Sequence, residues 1–302
     1  MPSIKVATTR PDTIEIEYET FGNPDDPALL LVSGFAIQLT SWETEFCELL
    51  AANGRYVIRF DNRDCGMTTK LDGAKASPEA VLAAMLSGTE MPEVPYTLSD
   101  MGNDGVGLLD ALGIERAHVA GASMGGMIAQ TMAIEHPDRI MTLTSIMSSP
   151  GDPRVGKPSP EALEVLLATP PTEREAFQEA SARCIVWASQ RYGDADVLWQ
   201  RAGEAFDRSF YPEGLPRQLA AIYATGDRSD RLAGLALPAL VIHGRDDTLI
   251  GVDGGTATAE AIPGAHLLLL ADMGHDLPRP LWPVIVGAMN GLAATPTAGA
   301  DS

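Results

Sequence analysis

Ala117-His118-Val119-Ala120-Gly121-Ala122-Ser123-Met124-Gly125-Gly126 is the stretch on which the reading of this chain turns. Residues 117–122 form a short apolar run of strand character and residues 124–135 read as a helix. Ser123 therefore stands at a strand-to-helix junction, with glycine two positions before it and two positions after it. Gly-x-Ser-x-Gly in that setting is a nucleophile elbow. The spacing has a mechanical reason. A turn tight enough to lift one side chain above the sheet forces its backbone into a strained conformation, and the flanking residues must lack bulk where chain packs on chain. Gly121 and Gly125 meet that need. The serine oxygen then stands at the positive end of the helix that begins at Met124.

Outward from this turn, the hydrophobic period alternates between strand and helix. Residues 13–20 alternate apolar and polar, as a strand with one wet face does. Residues 28–32, 56–60, 140–147, 238–243 and 266–271 are short apolar runs suited to strands covered on both faces. Helices are expected over 41–52, with Ser41 as N-cap, over 98–112, and over 281–292. Strand and helix in regular alternation imply βαβ units. The predicted fold is α/β: a mostly parallel central sheet with helices on both faces. Reactive residues in such sheets gather beyond the carboxyl ends of the strands. Two segments break the rhythm. Residues 73–95 contain a capped helical stretch from Ser77 to Leu86. Residues 151–235 hold helical patterns near 160–168, 173–190 and 194–210 and no convincing strand, so they read as a helical cap or lid inserted into the core. The expected division is a core of 1–150 and 236–295, a cap of 151–235 and a flexible tail of 296–302.

Composition narrows the function. The 302 residues carry 21 Lys and Arg against 41 Asp and Glu, a formal net charge of −20. Nucleic-acid binding needs cations to displace counterions from the phosphate backbone, so nucleic acid is not an expected partner. Anionic membrane surfaces are excluded on the same ground, and no stretch approaches the ~20 apolar residues that span a bilayer. Cys47, Cys65 and Cys184 are too few and too scattered for a disulfide framework or a zinc site. The expectation is a cytoplasmic protein with reduced thiols that needs no metal and no cofactor.

An unaided serine is a weak nucleophile and needs a base, itself held by a carboxylate. His118, His136, His243 and His266 lie within or beside expected strands and helix ends and read as structural. His275 lies in the loop Asp272-Met273-Gly274-His275, beyond the strand 266–271, where Gly274 leaves its ring room to swing toward the serine. The acid should follow the strand 238–243, where Asp246 and Asp247 are adjacent candidates, with Asp152 an outside choice. The developing oxyanion needs two backbone donors. Met124 offers one as the residue after the serine, and the turn Ser33-Gly34-Phe35-Ala36 offers the other through Phe35. Met67, Met85, Met91, Met124 and Met127 fall near the expected pocket or in the core.

With these residues in place, the sequence resembles the α/β-hydrolase superfamily over nearly its whole length. Phe60-Asp61-Asn62-Arg63-Asp64-Cys65-Gly66 is similar to the family's Asp-x-Arg-Gly-x-Gly turn, with Asp64 where glycine is common. The turn after residues 28–32 lacks the HGGG motif of hormone-sensitive-type lipases and has Ser33 where relatives often have histidine. Asn62-Arg63-Asp64, Trp42-x-x-x-Phe46 and Gly274-His275 resemble actinobacterial esterases of the aclacinomycin methylesterase group, in which a Ser–Asp–His triad cleaves the methyl ester of an anthracycline polyketide. The family's Gly-x-x-Asp pattern after this strand implies Asp247 as the acid. The expected function is thus a serine carboxylic-ester hydrolase with catalytic Ser123, Asp247 and His275, an oxyanion hole of Phe35 and Met124, and a small-molecule ester as substrate. The same triad also serves lactone hydrolases, carbon–carbon bond hydrolases and perhydrolases. A non-catalytic small-molecule binder is a rival from another class. Epoxide hydrolases and dehalogenases place a carboxylate at the position of Ser123.

Overall fold

The computed structural model describes residues 1–294. Eight strands form one sheet: β1 (Ser3–Ala7), β2 (Thr13–Phe21), β3 (Ala28–Val32), β4 (Tyr56–Phe60), β5 (Ala117–Ala122), β6 (Ile140–Ile146), β7 (Ala239–Gly244) and β8 (His266–Leu270). Their order across the sheet is β1-β2-β4-β3-β5-β6-β7-β8. Strands β3 to β8 run parallel, and β2 joins β4 and β1 joins β2 antiparallel. The order reverses between β3 and β5, so the turns that leave these two strands lie side by side at the switch point where α/β sheets open a crevice. β1 was absent from the sequence reading: only Val6 of its five residues is buried, so it carries no apolar signal.

The continuous apolar runs are split between two cores by the period-two alternation of strand side chains. Leu30, Val32, Ile58, Phe60 and Val119 pack with Met101, Leu108 and Met132 of helices α3 (Leu98–Ala111) and α4 (Met124–Glu135). Leu29, Leu31, Val57 and Ala120 pack on the other face with Phe46 and Leu50 of α1 (Thr44–Ala51) and Ile285 and Met289 of α11 (Trp282–Ala293). Both faces are therefore covered.

The start of α1 differs from expectation. Leu39–Ser41 form a 3-10 turn, the α-helix begins at Thr44, and Ser41 is not its cap. Asp61 Oδ1 accepts the Leu39 amide at 2.7 Å and draws the chain into that turn. The Arg59 guanidinium takes the Trp42 carbonyl that would otherwise open a longer helix. In the 73–95 insertion, α2 spans Pro78–Ser87, and its N-cap Ser77 accepts the Ala80 amide as expected. Between β6 and β7 the chain is helical: α5 (Pro160–Leu167), α6 (Arg174–Ala182), α7 (Ala195–Arg208), α8 (Leu215–Thr225) and α9 (Ser229–Leu232). The pattern expected over 173–190 breaks at Arg183, where a 3-10 turn runs to Trp187 and the chain then leaves helical geometry. α10 (Val252–Ala261) links β7 to β8. The expected tail of 296–302 lies outside the described residues. Among the described residues, no helix is long and apolar enough to cross a membrane.

The turn between β5 and α4 packs main chain against main chain with no room for a side chain. A Cβ on Gly121 would lie 2.0 Å from the Gly125 carbonyl oxygen, and one on Gly125 would lie 2.1 Å from that of Val32. Gly287, exposed in α11, has nothing within 4 Å of its would-be Cβ. Gly125→Ala is expected to cost about 3 kcal/mol and lower the melting temperature by roughly 6 °C or more. Gly287→Ala should instead raise it by about 1–3 °C, since alanine outranks glycine in a helix interior. Thermal unfolding of the two variants beside wild type checks both signs.

Candidate active site

Ser123 occupies the junction in a conformation that side-chain-bearing residues rarely adopt, with φ 57° and ψ −123°. Its amide donates to Ile146 O of β6 at 2.9 Å and so still belongs to the sheet. Its carbonyl accepts the Gly126 and Met127 amides at 2.9 and 3.3 Å and so already belongs to α4. Holding both ends leaves the half-buried hydroxyl standing above the sheet edge.

His275 faces it. Nε2 of the ring lies 2.9 Å from Ser123 Oγ, and Nδ1 lies 2.7 Å from Asp247 Oδ2. The His275 side chain is 8% exposed and that of Asp247 is fully buried. Burial works against ionisation of Asp247. The nearby charge of His275 and hydrogen bonds from His243 and His275 outweigh it and hold the carboxyl down at about 2. Oδ1 is occupied separately, accepting the amides of Leu249 and Ile250 at 2.9 Å each. With Asp247 ionised, Nδ1 must carry the hydrogen that it donates, which leaves the Nε2 lone pair for the serine hydroxyl.

Of the two adjacent aspartates, only Asp247 enters this arrangement. The Asp246 amide donates to Met273 O and the Arg245 amide to Leu270 O, both at 3.0 Å, which fastens the turn after β7 to the turn after β8. Asp152, the outside choice, is engaged with Arg154. Two of the remaining histidines are held by local partners. His118 accepts from Arg55 and donates to Thr142, and burial with the charges of Arg55 and Arg116 pushes it down to about 4. His136 donates to Asn103 Oδ1 at 2.7 Å.

The turns that carry the two expected oxyanion donors lie beside the serine. Met124 N–H opens α4, where no preceding turn supplies an acceptor. The turn after β3 passes close by, since a Cβ on Gly34 would lie 3.3 Å from Ser123 Cβ. Among the described residues, neither the Phe35 nor the Met124 amide has an acceptor. Two of the methionines expected near the pocket, Met124 and Met127, are buried in the core, whereas Met67 is 55% exposed.

Three features escaped the sequence reading. Gly274 is needed for backbone approach: a Cβ there would lie 2.3 Å from Trp187 O and 2.5 Å from Ala188 C. The space expected for the ring is filled by the segment after α6. That segment is fastened to the turns that carry Asp247 and His275. The His275 amide donates to Trp187 O at 2.6 Å, the Ser189 amide to Asp276 Oδ1 at 3.0 Å, and Thr248 Oγ1 to Val186 O at 3.0 Å. Behind Asp247 sits His243, fully buried, with Nε2 donating to Ile250 O at 2.8 Å and lying 3.5 Å from Asp247 Oδ2. A histidine closing an apolar strand gave no cue to this placement. Among the described residues, no group of three or more His, Cys, Asp or Glu side chains is arranged to hold a metal ion.

Known proteins share this chain's sequence and shape. It is 27% identical over 294 residues to a rhodomycin D methylesterase of Streptomyces sp. (strain C5), covering 88% of this chain and 91% of the relative. It is 33% identical over 174 residues to a 2-hydroxy-6-oxo-6-phenylhexa-2,4-dienoate hydrolase of Comamonas testosteroni, covering 56% of this chain and 59% of the relative. An enol-lactonase from Burkholderia xenovorans superposes with a TM-score of 0.72 at 23% identity, over 97% of this chain and 100% of the neighbour. The family model described as the alpha/beta hydrolase fold matches residues 27–278. The chain belongs to the α/β-hydrolase fold family.

Proposed function

We propose that the protein is a serine carboxylic-ester hydrolase acting through a covalent acyl-enzyme. The reading rests above all on one observation: the His275 ring bridges a strained serine at 2.9 Å and a buried carboxylate at 2.7 Å. Ser123 Oγ attacks the ester carbonyl as its proton passes to His275 Nε2. Asp247 stabilises the imidazolium and keeps it oriented. The amide N–H groups of Met124 and Phe35 hold the tetrahedral oxyanion. His275 then gives its proton to the departing alcohol, and water activated by the same nitrogen releases the acid. The likeness to rhodomycin D methylesterases over 88% of the chain supports a methyl ester on a small hydrophobic or polyketide-like molecule as the substrate. Residues 151–235 act as a cap over the site. The reaction is placed in the cytoplasm, where Cys47, Cys65 and Cys184, none of them in a disulfide among the described residues, stay reduced.

A second reading, carbon–carbon bond hydrolysis, is favoured by the 33% identity to the Comamonas hydrolase. It uses the same triad on a different electrophile. Comparing turnover of p-nitrophenyl and methyl esters with that of a vinylogous 1,5-diketone separates the two, and faster turnover of the diketone would replace the esterase reading.

Ser123→Ala should lower kcat by roughly 10⁴–10⁶ with the fold intact, and Asp247→Asn by about 10⁴. Circular dichroism with steady-state ester kinetics checks both, and more than a tenth of wild-type activity in Ser123→Ala defeats the assignment. A carboxylate with a depressed pKa loses its contribution only as pH falls through that value. Asp247, held at about 2, therefore stays charged at every pH well above that value and adds no proton of its own to the profile. The acid limb of log kcat/KM should thus rise with a slope of one, reporting a single proton, in a profile taken from about pH 4 upward.

A further inference from the structure

The turn after β3 contains a residue in a costly conformation. Ala36 has φ 58°, a left-handed region that side-chain-bearing residues rarely adopt and that persists only when the surroundings hold it. What holds it lies 182 positions further along the chain. The Ala36 amide donates to Gln218 Oε1 at 2.9 Å, and Gln218 Nε2 donates to Arg63 O at 2.8 Å. Gln218 is 1% exposed. Its amide group thus links the turn after β3 to the turn after β4, with both ends engaged.

The residue before Gln218 anchors it. Arg217 places Nε and Nη2 on the two oxygens of Asp64 at 2.7 and 2.8 Å, with both side chains buried. Asp64 also accepts from Tyr96 Oη and the Leu71 amide at 2.8 Å each. α8 begins directly on this residue, since a Cβ on Gly214 would lie 2.2 Å from Asp64 O. Asp64 itself has φ 62°, at the position where the resembling family commonly has glycine. Glycine would relieve that backbone and leave Arg217 without its carboxylate.

We infer that Gln218 is a positioning residue for the oxyanion turn, holding the Ala36 peptide so that the adjacent Phe35 N–H stays free and aimed beside Ser123, and that the Asp64–Arg217 pair sets Gln218 in place. This rests on the esterase reading above. A glutamine that contributes packing alone would be missed in stability. One that shapes the oxyanion turn is missed in the transition state, because only there does the Phe35 N–H meet a full negative charge.

The test uses p-nitrophenyl acetate and two inhibitors. An alkyl trifluoromethyl ketone forms a tetrahedral oxyanion with the serine, and the methyl ketone of the same chain length serves as a ground-state ligand. Gln218→Met keeps length and loses both hydrogen bonds. Its kcat should fall about 10- to 100-fold with KM within about threefold, the range below outright loss of an oxyanion donor. The inhibition constant of the trifluoromethyl ketone should rise in parallel while that of the methyl ketone stays level. Gln218→Glu retains an acceptor for Ala36 and should recover most of the loss. Asp64→Asn should reproduce the signature more weakly. If Gln218→Met does not fold, the glutamate and Asp64→Asn variants decide the matter through the same two ketones. Wild-type kcat, or an equal loss of affinity for both ketones, overturns the inference. Fluorophosphonate labelling separates the two levels: failure to label Ser123 in wild type removes the esterase reading itself, whereas labelled Ser123 with indifferent Gln218 variants removes this inference alone.

Discussion

The fold and the site share one constraint, the close approach of three main-chain segments beneath Ser123. β5 and the first turn of α4 touch through Gly121 and Gly125, and α4 rests on the end of β3 through Gly125. No side chain fits at either glycine, so the serine between them has nowhere to go except upward, into a conformation it would not choose alone. That contact fixes more than the hydroxyl. It also draws the turn after β3 against Ser123. The switch point of the sheet supplies the crevice, and glycine packing sets what stands in it.

Asp247 and His275 arrive by a different route. Their turns follow β7 and β8, which are neighbours in the sheet, and main-chain hydrogen bonds from residues 245 and 246 lace one turn to the other. The segment Val186–Ser189 then closes over both. Its bonds are to backbone atoms and to the side chains of Thr248 and Asp276, so it fixes the shape of the loops and leaves Ser123, Asp247 and His275 to one another. A helical excursion that seemed from sequence to lie outside the core thus supplies part of the wall on which the histidine is mounted.

Strands β3 to β8 and the serine turn were legible because each carries its own local signal, either an apolar run or a glycine spacing that only one backbone shape requires. His275 was legible by position, as the histidine beyond the last strand. The choice between Asp246 and Asp247 was not fixed by the residues themselves. Both are acidic and adjacent, and what separates them is burial together with the amides of Leu249 and Ile250, which only the folded turn presents. Likewise nothing in the sequence singles out Gln218, which lies outside the expected helical patterns, Ser189, which falls within the pattern over 173–190, or His243, which ends an expected strand. Their significance lies in contacts made across 182, 87 and 7 positions, respectively, where no periodicity points. Ser41 failed as a cap for a related reason. The local preference for serine at a helix start gave way to Asp61, which takes the amide of Leu39 twenty-two positions before it.

The chain has about half as many cations as anions, and it uses several of its arginines to join the helical excursion to the core. Arg217 of α8 meets Asp64, Arg208 of α7 meets Asp61, and Arg201 of α7 meets Glu43. Such pairs are weak evidence for strength. In the buried Arg217–Asp64 pair, taking two charges out of water costs about as much solvation as their attraction returns, and separation would rehydrate both partners. Their effect is on register. An apolar interface tolerates a slide of a few ångströms, because any greasy surface suits any other. A guanidinium that slides off its carboxylate while still buried leaves two uncompensated charges, and that is expensive. The ion pairs therefore say little about how tightly α7 and α8 hold to the core and much about where they sit. A glutamine one residue beyond Arg217 can reach the turn after β3 with hydrogen-bond accuracy because the residue before it has only one place to be.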